Sequence, residues 1–192
     1  MNKFVSAACL LLVLVGLAFP AGPAQQPEPG AQSSSTPIAQ MRDQIRVFES
    51  ALNQSLAQVF EAPFGYLDRA HGAYLPGYGV VVTFEINLLP NLGPFASERT
   101  NPALEKAQRE LQKRQREQAR ALAQKMIADY GHTVPLGPGE SLAIVVHGTA
   151  AGTRGIERST MVISASKREL DGFRSNPADR DGFLRRLQVL EY

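Results

Sequence analysis

The sequence predicts an α+β domain: a small mixed β-sheet of three to four strands, covered on one face by two long helices, with short C-terminal helices. Three observations predict it. Apolar residues recur at spacings of three and four from Ile38 to Val59. Val80, Val82, Phe84, Ile86 and Leu88 alternate with Val81, Thr83, Glu85 and Asn87. A long helical segment then separates this strand from the next apolar run, which is the layout of a crossover between parallel strands.

The chain opens with a layout that predicts a signal peptide at 1–24. Lys3 is a positive n-region, Phe4 to Phe19 an uncharged apolar run, and Gly22-Pro23-Ala24 a small-residue cleavage site. An uncleaved anchor is the competing reading, but the run is shorter than the ~20 residues of a spanning helix. Residues 25–36 are rich in Gln, Pro, Gly and Ser and predict a disordered leader, which leaves 37–192 as a single α+β domain. The expected location is therefore outside the inner membrane, periplasmic or extracellular, with no stable membrane insertion once the signal is removed.

Thr36-Pro37 reads as a cap with proline at the first helical position. The stripe of Ile38, Met41, Ile45, Phe48, Leu52, Leu56 and Val59 makes one helix face, ending near Phe60 before Pro63 and Gly65. A coiled-coil seam is conceivable, but a stripe this short fits packing on a sheet better. Phe64 to Tyr78 is aromatic and turn-rich, with a bend at Pro76-Gly77. The Val80–Leu88 alternation is the clearest strand, and Asn91 to Thr100 reads as a loop.

Asn101-Pro102 opens the long helix, and Gly131 suits its end after Tyr130. Its apolar residues sit at the two ends, while Gln112 to Gln118 has no large apolar side chain. Such a helix is docked at both ends or projects from the body. Leu142–His147 and Thr160–Ala165 read as an antiparallel pair joined by a loop from Gly148 to Gly155. Ser166 and Glu169 form a capping box for a short helix through Phe173. Asn176-Pro177 opens another, carrying Phe183, Leu184 and Leu187, and Gln188–Tyr192 can add an edge strand.

Composition removes several function classes. Lys and Arg total 20 against 18 Asp and Glu, and losing Lys3 brings the balance nearer to neutral. A nucleic-acid binder would show a concentrated basic excess. The only cysteine, Cys9, lies inside the apolar run, too early for lipid acylation. Its loss with the signal would exclude disulfides, thiol catalysis and cysteine-based zinc sites from the mature chain.

No motif for catalysis, metal or cofactor emerges. Gly148, Gly152 and Gly155 with Arg154 and Arg158 only superficially resemble a phosphate cradle, because a strand follows them instead of a helix. Asp179-Arg180-Asp181-Gly182 imitates a calcium loop, yet Pro177 and Gln188 fall where carboxylates are required, so a helix N-terminus is the better reading. Ser141, Ser159, Ser164 and Ser166 lack a nucleophile elbow. His71, His132 and His147 show no metal-ligand spacing.

Two functions from different classes remain. The first is a non-catalytic secreted or periplasmic protein that binds a macromolecule or the cell envelope. Its candidate binding residues are Lys113, Arg114 and Arg116, in the charged middle of the long helix. The alternative is a small exported hydrolase assembled from dispersed residues such as His71, Glu85 and His147, which requires these side chains to converge in a concave pocket.

Overall fold

The computed structural model describes residues 37–60, 65–89, 102–152 and 155–192, all of which belong to one compact unit. The expected signal peptide, the leader and the loop at 91–100 lie outside the described residues. The described elements are α1 (Pro37–Val59), β1 (Tyr66–Leu75), β2 (Gly79–Asn87), α2 (Pro102–Tyr130), β3 (Ser141–Gly152), β4 (Gly155–Ser166), α3 (Lys167–Ser175), α4 (Arg180–Arg186) and β5 (Gln188–Glu191). A short 3₁₀ turn, Gly131–Thr133, follows α2. The fold is α+β with one mixed sheet of five strands.

Spatial order follows chain order, β1-β2-β3-β4-β5. Only β2 and β3 are parallel, and α2 is the crossover between them. The β1–β2, β3–β4 and β4–β5 pairs are antiparallel. Gly79, at φ +121°, lets β2 start against β3, since a Cβ there would stand 2.1 Å from the Ser141 carbonyl oxygen.

The period-two pattern of β2 has a direct consequence. Val80, Val82, Phe84 and Ile86 are all buried, and in register with them lie Leu142, Ile144 and Val146 of β3. Phe48, Leu52 and Leu56 of α1 and Leu122, Met126 and Ile127 of α2 complete the same core. From Met41 to Leu56 the α1 stripe thus packs into the domain core. Short helices α3 and α4 join this face through Leu170 and Phe183, whose neighbour Phe173 stacks on it at 4.4 Å between ring centroids.

Several local expectations are corrected. Tyr66–Leu75 is a full strand of ten residues, so the sheet has five strands where three to four were expected. Its alternation is broken by register shifts between Tyr66 and Asp68 and between Asp68 and His71. Gly148 to Gly152 continues β3 and is not a loop. The fourth helix is capped by Asp179, whose carboxylate accepts from Gly182 N, and so starts after Asn176-Pro177. The Ser166–Glu169 capping box is present in both directions.

Candidate functional site

Helix α2 divides at Ala119. From there to Ala128 six residues are buried, while among residues 102–118 none is. Those seventeen residues correspond to about 25 Å of helix. A half-exposed stripe of Gln108, Leu111, Gln112 and Gln115 continues the docked face, in mainly polar form. The helix is therefore buried only in its C-terminal part, with Leu111 the one large apolar side chain of the N-terminal half that packs against the core.

Lys113, Arg114 and Arg116 all lie on this N-terminal half and are all exposed. Neighbouring cations are engaged: Arg109 faces Glu105, Arg120 contacts Glu191 at 2.7 Å, and Lys125 pairs with Asp129. Lys113, Arg114 and Arg116 make no ion pair among the described residues. Glu110 and Glu117, also exposed, flank them, so the three cations carry only a small local positive excess.

The dispersed hydrolase candidates fall elsewhere. The sheet face opposite the helices carries the row His71, Thr83, Val145, Val162 and Leu190. The next row holds Asp68, Glu85, His147 and Thr160, so Glu85 and His147 are direct register neighbours. Glu85 accepts a hydrogen bond from Thr149 Oγ1 at 2.5 Å, and His147 Nδ1 lies 3.3 Å from Thr160 Oγ1. His71 is exposed, with Asp68 at 3.7 Å. The three candidates thus share an open face, and none lines the three concavities described for the chain. Among the described residues no group of three His, Cys, Asp or Glu side chains can hold a metal ion.

The imitation calcium loop and phosphate cradle also resolve. Asp179 is committed to Gly182 N and to Arg186 at 3.3 Å, as a helix cap should be. Gly148 lies within the sheet, Arg158 is an exposed residue of β4, and Arg154 lies outside the described residues.

Two features were missed by sequence reasoning. Glu140 is the one buried charged residue among those described, accepting from Tyr74 Oη at 2.6 Å and from Gly137 N at 2.7 Å. The hydrogen bond from Tyr74, then that from Gly137, holds the Glu140 carboxyl below its ordinary value, and the same contact pushes the Tyr74 phenol up. This pair fastens the β1–β2 hairpin to the start of β3. The second feature is a cavity of about 260 Å³ between α2 and the sheet, with Arg116 in its wall.

Comparison with protein-family models, with curated proteins and with solved structures returns no match. Among the described residues no helix is long and apolar enough to cross a membrane.

Proposed function

We propose that the chain is a non-catalytic exported protein that binds an acidic macromolecular partner, or the acidic surface of the envelope, through Lys113, Arg114 and Arg116. The observation that carries this reading is the exposure of these three cations, unpaired, on the half of α2 that buries no residue. Leu111 is the one large apolar side chain of that half that packs against the core. Exposed charges add little to folding, about 0–1 kcal/mol each, so their use lies in what they attract. Export rests on the Lys3, apolar-run and Gly22-Pro23-Ala24 layout, and places the surface in a periplasmic or extracellular setting.

The test is capture of partners from the native envelope fraction at two ionic strengths. Surface charge attraction is screened within about 10 Å at 0.1 M salt. Capture that weakens as salt rises supports the reading, and capture indifferent to salt removes the electrostatic basis for it.

The hydrolase alternative draws support from one relationship, the side-by-side placement of Glu85 and His147. Against it stands their open setting, where water has free access and Glu85 is already engaged by Thr149. Hydrolytic activity lost in both Glu85→Gln and His147→Ala would favour this alternative.

A further inference from the structure

We infer that the cavity beside Arg116 is a binding site for a small aliphatic carboxylate. This goes beyond macromolecular binding and needs no other residue of the basic stretch.

The cavity arises from an interruption in the core. Across the sheet, Phe84, Val146 and Met161 form one register row, and all three are buried. The next row toward the exposed half of α2 is Ile86, Gly148 and Ser159, where two of three positions are small. The helix residue facing this gap is Ala119, fully buried and equally small. Small residues in both layers therefore meet at one height, and close packing fails there. The space directly over Gly148 is taken, since a Cβ would lie 2.8 Å from Ser159 Oγ and 3.0 Å from Leu88 Cδ1, so the gap lies beside these two side chains.

The gap of about 260 Å³ has the room of roughly nine water molecules. Ile86, Leu88, Val146 and Met161 form its apolar side, and Ser159 and Thr160 add hydroxyls to the lining. An apolar chain of about eight carbons is the occupant such walls favour.

Charge decides the head group. Arg116 and Glu191 are the charged side chains lining the cavity, and Glu191 is neutralised by Arg120 at 2.7 Å. Arg116 has no ion pair and is exposed on the outer side. A guanidinium donates to both oxygens of one carboxylate in a forked pair, which a neutral alcohol cannot reproduce. The site therefore fits an aliphatic tail in the gap and a carboxylate at Arg116.

Titration calorimetry of the full chain with octanoate and with 1-octanol tests this. The parent should bind octanoate about tenfold tighter than 1-octanol, the weight of one charge-assisted contact. Arg116→Gln should bring octanoate down to the level of the alcohol. Ala119→Leu, which fills the gap, should remove both while partner capture through Lys113, Arg114 and Arg116 persists. Arg116 is exposed, so its variant folds even where the Ala119 change does not. No octanoate binding by the parent at millimolar concentration, equal affinity for acid and alcohol, or octanoate affinity unchanged in Arg116→Gln would each overturn the assignment.

Discussion

The side chain of Asn53 pairs with both backbone polar groups of Ala70: Oδ1 accepts from the amide at 2.8 Å and Nδ2 donates to the carbonyl at 3.4 Å. One helical turn earlier, Glu49 Oε1 accepts from Gly72 N at 2.5 Å. Helix α1 thereby satisfies backbone groups of β1, the edge strand, that its pairing with β2 leaves over. An edge with unpaired backbone groups invites pairing with another chain, and side-chain capping blocks that at Ala70 and Gly72.

Replacing Asn53 by alanine leaves the Ala70 amide, which is buried, without a partner. The expected cost is about 1–3 kcal/mol, the usual range for an orphaned buried group. Urea unfolding measures it, and faster hydrogen exchange at Ala70 and Gly72 should accompany it.

Phe84 is buried in the interior strand β2, in register with Val146 and Met161. Phe84→Ala is expected to cost about 3–5 kcal/mol in denaturant unfolding. A cost below about 1 kcal/mol would mean that the core lies elsewhere.

The Tyr74–Glu140 contact carries a pH signature. Glu140 has a depressed folded pKa, so its contribution is fully present above the unfolded carboxylate value of 4.5 and is lost as pH falls through the folded value. Tyr74 has a raised folded pKa, so its contribution is fully present below 10.0 and is lost as pH rises through the folded value. The Tm difference between the parent and Tyr74→Phe should therefore be flat at neutral pH and narrow at both extremes. Melting curves across pH check this, and a difference independent of pH would contradict it.

Much of the fold was legible because it is written in local periodicity. The α1 stripe, the β2 alternation, the α2 crossover and the Ser166–Glu169 box each depend on neighbours within one element. Strand β1 was not legible: at a sheet edge only Ala70 is buried, and bulges shift which side chains face inward. Gly148 looked like loop because glycine is a turn residue, whereas its role is set by Leu88 and Ser159, which reach it through the sheet. Of the candidate binding residues, the exposure of Lys113, Arg114 and Arg116 followed from the absence of apolar neighbours. The cavity did not, since Ala119, Gly148 and Ser159 meet only once α2, β3 and β4 are in register. The latch of Glu140 to Tyr74 likewise joins residues 66 positions apart.

The exposed face of the N-terminal half of α2 is either a recognition surface or a plain solvated face, and charge reversal at Lys113, Arg114 and Arg116 separates the two. The triple variant is compared with the parent by thermal melt and by pull-down from the envelope fraction. The account predicts an unchanged Tm, because these side chains are exposed and unpaired, together with loss of partner capture. Capture equal to that of the parent would contradict the proposed function, and a large fall in Tm would show that the stretch is structural.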